Sequence, residues 1–184
     1  MTGRPGAATA AVTITGVNDA PTLGAVVLAA EEDGAAVVLD LSALGDDVDS
    51  DDDGASLTYS VTGQPGEGSA SITGTDLSFD PGADFQDLAV GETRQVTIEV
   101  TATDAHGATA VNDVTVTVTG TNDAPVAQAV AETVGEDGPA VTVAANYSDV
   151  DTSDTHTVSI NTTGTVGLVT DNGDGTFSYD PNGA

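Results

Sequence analysis

Apolar and polar residues alternate with a two-residue period along much of this chain. In residues 96–102 valine, isoleucine and alanine alternate with threonine and glutamate, and in residues 114–119 valine alternates with threonine. Such a pattern buries one face of a β-strand and leaves the other in water. No stretch keeps a 3.6-residue apolar period for three turns, so the pattern predicts an all-β protein whose antiparallel sheets pack face to face. Shorter alternations at 141–143, 158–160 and 177–179 predict further strands.

Internal repeats organise these predicted strands into tandem domains. The segment 12–21 (VTITGVNDAP) recurs at 116–125 as VTVTGTNDAP, a shift of 104 positions. Glu-Asp-Gly at 32–34 recurs with the same shift, Asp-Val-Asp at 47–49 recurs 102 positions later, and Ser-Phe-Asp-Pro at 78–81 recurs as Ser-Tyr-Asp-Pro 100 positions later. A spacing that changes only by loop-sized steps indicates homologous domains of about 104 residues.

The repeats predict where the domains begin and end. Residues 1–17 match the last strand of a preceding repeat, residues 18–121 form one complete repeat, and residues 122–184 form the N-terminal part of a second. The second copy stops where the first has reached residue 84, so it lacks counterparts of the last two strands. We therefore expect tandem seven-stranded antiparallel Greek-key β-sandwiches, the second truncated, within a longer array. The strands of the complete repeat are predicted near 25–30, 36–41, 56–62, 69–73, 76–80, 93–102 and 109–119.

The charge balance excludes several classes of function. Asp and Glu together number 30, against 2 basic residues, which gives a formal net charge of −28. Nucleic-acid binding and docking on anionic lipid both need basic surfaces, so neither is expected. The chain has no cysteine, which excludes disulfides, zinc–thiolate sites and a thiol nucleophile. A run of about 20 apolar residues, the length that spans a membrane, does not occur, so direct membrane insertion is not expected either.

The acidic residues cluster in predicted loops. Six of the eight residues 46–53 are aspartates, and such packed like charges repel unless cations intervene. Because successive strands run in opposite directions, the acidic loops converge on the two ends of each sandwich, where one domain meets the next. Hard oxygen donors in this number favour Ca²⁺ over zinc or copper. The candidate ligands at the domain ends are Asn18, Asp19, Glu31, Glu32, Asp47, Asp49, Asp84, Asp87, Asp104, Asn122, Asp123, Glu136, Asp149 and Asp151.

Other interpretations of the same residues stay open. Asp49-x-Asp51-x-Asp53-Gly54 fits the start of an EF-hand loop, but position 12 is Ser60 in place of the bidentate glutamate, and strand patterns flank the loop. A solitary calcium ion in this loop is a further alternative. The acidic excess could also serve solubility or a saline habitat without any specific metal. Asn-Asp-Ala-Pro could be a plain strand terminator, since these residues favour turns.

Several motifs occur in the order of a known family. Asp-Val-Asp-Ser at 47–50 is followed by Leu-Thr-Tyr-Ser at 57–60, Val-Thr-Ala-Thr-Asp at 100–104, Gly-Thr-Asn-Asp-Ala-Pro at 120–125 and Asp-Asn-Gly-Asp-Gly-Thr-Phe at 171–177. This succession resembles cadherin repeats and, more closely, the bacterial cadherin-like or VCBS-type tandem repeats of large secreted, RTX-type adhesins. The resemblance implies cadherin- or Ig-like sandwiches, calcium between repeats, export and cell-surface adhesion.

The resemblance also implies roles for individual residues. Glu32 matches the glutamate after the first strand, and Asp104 matches the aspartate between the last two strands. The Asn-Asp pair at 122–123 matches the linker donors, and Asp-x-Asp at 149–151 matches the pair of the following domain. The aspartates within 84–87 stand loosely in place of the family's Asp-Arg-Glu element.

These observations favour a non-enzymatic structural module on the bacterial cell surface. The two histidines, His106 and His156, have no evident serine or cysteine partner, and aromatic residues are too few for a sugar-stacking cleft. The leading hypothesis is a repeat of an extracellular adhesin, made rigid by Ca²⁺ between neighbouring repeats so that it extends a distal binding domain for cell attachment or biofilm. One alternative is a calcium-dependent module that binds surface polysaccharide or another copy of the adhesin. Another is a spacer in a secreted enzyme.

Overall fold

The structure, a computed structural model, describes residues 9–181. Its regular secondary structure is almost wholly β-strand, which confirms the all-β fold class. We call residues 18–121 the first repeat and residues 122–181 the second repeat. All seven strands predicted in the first repeat are present, together with two short ones. They are β1 (Thr22–Leu23), β2 (Val26–Glu31), β3 (Val37–Asp40), β4 (Gly45–Asp46), β5 (Thr58–Gly63), β6 (Ser69–Thr73), β7 (Asp76–Asp80), β8 (Thr93–Thr103) and β9 (Thr109–Thr119). The second repeat has β10 (Val126–Gln128), β11 (Val141–Ala144), β12 (Asn146–Ser148), β13 (Leu168–Asp171) and β14 (Thr176–Asp180).

Two sheets form the sandwich of the first repeat. The larger has the order β2-β9-β8-β5 and the smaller the order β3-β7-β6. The pairs are antiparallel except that β2 runs parallel to β9, with Val26 beside Val114, so the antiparallel prediction is wrong for this pair. β2 and β9 are the first and the last of the seven predicted strands. Because these seven alternate in direction, the first and the last point the same way, and here they are neighbours. The ends of β2 and β9 therefore lie at the same end of the sandwich.

The two-residue alternation sends one set of side chains from each strand into the space between the sheets. On β8, Ile98 and Val100 are fully buried, whereas Thr97 and Glu99 between them are exposed. Phe79 on β7 is also fully buried, and its ring meets the Phe85 ring edge-on at 6.4 Å between centroids. The core is thus mainly aliphatic on the larger sheet, which also contributes Tyr59 from β5, and partly aromatic on the smaller one.

The second repeat reproduces part of this architecture. Its sheet β11-β14-β13 corresponds to β3-β7-β6, and β10 pairs with β12 as β1 pairs with β4. The hairpin predicted around residues 171–175 is present between β13 and β14. Residues 158–160 form no strand, although their alternation predicted one. The corresponding β5 of the first repeat pairs with β8, and the described residues of the second repeat include no counterpart of β8.

Residues 9–17 form no strand, and Val12 and Ile14 are 84% and 90% exposed. Their sequence counterpart, the end of β9, is paired on both sides, by β2 and by β8. That residues 1–17 are the last strand of a preceding repeat stays a prediction, and residues 1–8 and 182–184 lie outside the described residues.

Candidate metal centre

Three carboxylates from two repeats meet beyond the ends of β2 and β9. Glu32 directly follows β2, and Asp123 lies four residues beyond β9, at the same end of the sandwich because these strands are parallel. Asp151 comes from the loop after β12 of the second repeat. One oxygen from each carboxylate lies within 4.8 Å of the others. We call Glu32, Asp123 and Asp151 the junction triad.

Glu32 is held in place by the linker between the repeats. Its side chain is buried, with a relative exposure of 1%. Its Oε1 accepts hydrogen bonds from the Thr121 backbone N–H (2.7 Å) and from Thr121 Oγ1 (3.1 Å). Its Oε2 is buried and accepts none. The Oε1 atom of Glu32 therefore binds Thr121, and the Oε2 atom is free to bind a ligand.

Backbone hydrogen bonds link Asp123 to Asp151 and Asp151 to Asp149. The Asp123 N–H donates to Asp151 Oδ2 (2.9 Å), and the Asp151 N–H donates to Asp149 Oδ1 (3.1 Å). Asp151 is 2% exposed. Asp123 Oδ2 and Asp151 Oδ1 are buried without a hydrogen-bond partner. Each member of the junction triad thus has one buried, unpaired oxygen.

The negative charges of the junction triad are unfavourable unless a cation lies between them. Burial raises the pKa of Asp123, and the negative charges of Asp33, Asp151 and Asp149 raise it further. Buried carboxylates without donors are costly unless a positive charge pairs with them. A set made only of hard oxygen donors suits Ca²⁺, which takes six to eight oxygens including carbonyls and waters. The residues present therefore fit calcium.

The opposite end of the first repeat has the same backbone hydrogen bonds between aspartates as the junction triad. The Asp19 N–H donates to Asp49 Oδ2 (2.7 Å), and the Asp49 N–H donates to Asp47 Oδ1 (2.9 Å). Asn18 Nδ2 donates to Asp104 Oδ2 (2.9 Å), and this bond, together with backbone donors of the β8–β9 turn, lowers the pKa of Asp104. Within residues 9–181, Asp19 and Asp49 are not part of a group of three ligand side chains.

The structure does not bring every predicted ligand to the junction triad. Glu31 and Glu136 are exposed. Asp84 Oδ2 accepts from the Gly68 N–H (2.8 Å) and so ties the loop after β7 to the segment before β6, where Gly68 has a positive φ of 72°. Asp149 Oδ2 contacts His156 Nε2 (2.6 Å), and this hydrogen bond lowers the pKa of Asp149. Asn122 donates from its side chain to the Asp123 carbonyl.

Asp87 belongs to an ion pair near the junction. Arg94 Nη2 lies 2.7 Å from Asp87 Oδ2, and Arg94 Nη1 lies 2.9 Å from Glu67 Oε1. The Asp87 carbonyl, by contrast, faces the second repeat, where it accepts from the backbone N–H (3.4 Å) and hydroxyl (3.2 Å) of Thr152. Ser153 Oγ likewise donates to Glu92 Oε1 (2.8 Å). The loop before β8 is therefore a docking platform for the second repeat.

Sequence reasoning missed Thr121, Thr152 and Ser153. A signal for Thr121 was present, because the first copy of the motif has Val17 at the corresponding position and otherwise differs only in having Ile14 where the second has Val118. Threonine supplies the second donor to Glu32, which valine lacks. The structure also explains the glycine at position 120, since a Cβ atom there would collide with the carbonyl oxygens of Leu88 and Ala89.

We expect Arg94→Gln to return the pKa of Asp87 toward its ordinary value. The hydrogen bond from Arg94 is the main cause of the lowered pKa of Asp87. A carboxyl whose pKa is lowered on folding stabilises the fold above its unfolded pKa, and this contribution is lost as the pH falls through the folded pKa. The variant should thus be slightly less stable than the wild type at neutral pH and equal to it in strong acid. Carboxyl NMR titration together with urea unfolding checks this, and an unmoved Asp87 titration would contradict it.

Two family models match the chain, a bacterial Ig domain over residues 18–119 and a cadherin-like domain over residues 121–184. No curated protein matches it. The chain is similar to the solved extracellular cadherin domains 1–4 of protocadherin gamma B7 (19% identity, TM-score 0.50, 86% of this chain and 40% of that chain). It is also similar to the human desmocollin-1 ectodomain (15% identity, TM-score 0.51, 90% of this chain and 31% of that chain). A third match, an endo-fucoidan hydrolase of glycoside hydrolase family 107, has a TM-score of 0.43, which is too low to support an argument.

These comparisons confirm the predicted fold and the resemblance to bacterial cadherin-like tandem repeats, whereas the VCBS and RTX assignments stay predictions. At these identities the solved structures share only the fold, and the chain spans less than half the length of each. Cadherin-like and Ig-like domains are typically non-enzymatic structural modules of the adhesion type, and cadherin-like domains are typically extracellular and generally bind calcium. Among the described residues, no helix has the length and apolarity to cross a lipid bilayer. Because the first family model covers more than half of the chain, the protein belongs to the bacterial Ig domain family, as a tandem repeat whose second part is cadherin-like.

Proposed function

We propose that this chain is a spacer of an extracellular bacterial adhesin, made rigid by Ca²⁺ bound between successive repeats. The observation that carries the proposal is the junction triad, in which one oxygen of each carboxylate lies within 4.8 Å of the others, and in which Glu32 Oε2, Asp123 Oδ2 and Asp151 Oδ1 are buried without donors. Bound calcium would supply the positive charge that these oxygens lack. The adhesin would use the stiffened repeats to hold a distal binding domain away from the cell surface.

The three ligands belong to three different parts of the chain, which is why their joint binding controls the angle between repeats. Glu32 belongs to the first sandwich, Asp123 to the linker and Asp151 to the second repeat. Without a cation their negative charges repel, and this repulsion opposes the hydrogen bonds of Thr152 and Ser153 to the platform. With a cation, separating the repeats requires removing ligands from it, so the linker becomes stiff.

We further propose that Asp19 and Asp49 are half of an identical site. They repeat the hydrogen bond that joins Asp123 to Asp151. In an array, a neighbouring repeat would supply the glutamate that corresponds to Glu32. The boundaries 18–121 and 122–184, with residues 1–17 as the end of another repeat, are part of this proposal.

Calcium titration combined with proteolysis tests the proposed function. Extracellular modules of this kind bind calcium with a Kd of about 0.1–1 mM. At ten times that Kd the bound ion stabilises the folded state by about 1.4 kcal/mol. We expect calcium to raise the melting temperature and to slow cleavage after Asp123 by a protease specific for acidic residues, whereas equal magnesium does much less. Equal cleavage rates in calcium and in chelator would overturn the proposal. Polysaccharide binding or self-association that a chelator abolishes would instead favour an adhesive module.

A further inference from the structure

A second group of potential metal ligands lies in the first repeat and differs in chemistry from the junction triad. Asp51 and Asp52 come from the loop between β4 and β5, and His106 comes from the turn between β8 and β9. One ligand atom from each of the three lies within 4.8 Å of the others. None of these residues is among the candidate calcium ligands predicted at the domain ends, although Asp51 belongs to the EF-hand-like alternative. We call them the histidine cluster.

Asp52 carries an unsatisfied oxygen within this cluster. Its side chain is 7% exposed, and its Oδ1 accepts a hydrogen bond from Ser56 Oγ (3.0 Å). Its Oδ2 is buried and has no hydrogen-bond partner. Arg94, which could neutralise a carboxylate, is engaged by Glu67 and Asp87 instead. A buried carboxylate oxygen without a donor points to a cation as its missing partner.

The ligand types distinguish which cation fits. An imidazole nitrogen with two carboxylate oxygens is a donor set for first-row divalent metals such as zinc, whereas calcium takes oxygen donors alone. Asp51 and His106 are exposed and line an open cleft of about 430 Å³, which leaves room for water to complete the coordination. In the second repeat, the position that corresponds to Asp51 is Ser153, which donates to Glu92. The histidine cluster is therefore not a copy of the repeated junction geometry.

We propose that Asp51, Asp52 and His106 bind one first-row divalent transition-metal ion, with Zn²⁺ as the reference ligand, at the end of the first repeat opposite the junction triad. Two of the three ligands sit on solvent-facing loops, so the ion can enter without opening the core. The site shares no residue with the junction triad or with the Asp19 and Asp49 pair, although Asp49 lines the same cleft.

Metal titration of the tag-free protein in saturating calcium tests this proposal. We expect one equivalent of Zn²⁺ to bind, and His106→Gln to weaken that binding at least about tenfold, since loss of even an outer partner of a metal ligand costs about 10- to 100-fold. His156→Gln is the matched control, because the chain has 2 histidines, and it should leave zinc affinity unchanged. Asp151→Asn should weaken calcium binding and spare zinc binding.

Cu²⁺ as a spectroscopic probe gives a second readout that does not depend on stability. The electron paramagnetic resonance spectrum should show coupling to one nitrogen, and the coupling should vanish in His106→Gln but persist in His156→Gln. His106 is exposed, so its substitution leaves the sandwich folded. Zinc affinity that is equal in wild type and His106→Gln would overturn the proposal, as would the absence of saturable zinc binding or of a nitrogen coupling. None of these results would bear on calcium binding at the junction.

Discussion

Changing Asp123 and Asp151 together to asparagine should lower the calcium affinity of the junction by about 100-fold or more, since loss of even an outer partner of a metal ligand costs about 10- to 100-fold. The double substitution removes two of the three negative charges of the junction triad. It keeps the shape of both side chains, and the amide oxygen introduced at position 151 can still accept the hydrogen bond from the N–H of residue 123. Calorimetric titration with calcium measures the change.

The matched control removes the same charge elsewhere. Asp113→Asn with Asp137→Asn changes two exposed aspartates outside the junction triad, and it should leave the isotherm of the junction unchanged. In chelator, Asp123→Asn with Asp151→Asn should be at least as stable as the wild type, because the repulsion that raises the pKa of Asp123 is gone. A calcium isotherm that both double variants share with the wild type would contradict the assignment of the triad.

Phe79→Ala should cost the first repeat about 3–5 kcal/mol of unfolding free energy, the usual range for a fully buried phenylalanine. The Phe79 ring is completely buried, packs edge-on against Phe85, and leaves no room for a side chain at Gly68. Deleting it leaves a cavity between the sheets that the stiff strands cannot close. Urea unfolding in saturating calcium, followed through the methyl NMR signals of Ile98, measures the loss.

Val38→Ala is the control for this prediction. Val38 lies on β3 next to β7 but is 60% exposed, so its truncation should change stability by less than about 0.5 kcal/mol. Tyr179 is the counterpart of Phe79 in the second repeat and is only half-buried, so Tyr179→Ala should cost less than Phe79→Ala. Equal losses for Phe79→Ala and Val38→Ala would contradict the placement of the core.

Most of the fold of the first repeat follows from the sequence, because a two-residue alternation specifies both a strand and the face that it buries. The parallel pairing of β2 with β9 does not follow as directly, since alternation says nothing about which strands become neighbours. Residues 158–160 show that a strand pattern alone does not produce a strand. Their pattern is that of a strand, but a strand needs a hydrogen-bonded partner, and the described part of the second repeat does not provide the counterpart of β8.

The candidate site was predictable in its ligand types and in its place at the junction, because repeated acidic motifs sit in loops at the domain ends. The sequence could not separate ligands from structural carboxylates. Asp87 differs from Asp123 because Arg94 is within reach of it, and Asp84 differs because it accepts a hydrogen bond from the Gly68 N–H. These contacts arise from tertiary packing, as do the hydrogen bonds of Thr121 to Glu32.

Distance distributions between spin labels in the two repeats test the central claim most directly. The chain has no cysteine, so Ser60→Cys on β5 and Thr170→Cys on β13 provide two exposed labelling sites, one in each repeat. The account predicts a single narrow distribution in calcium and a broad one in chelator, with Asp123→Asn and Asp151→Asn giving the broad distribution in both. Equally broad, or equally narrow, distributions with and without calcium in the unmutated junction would contradict it.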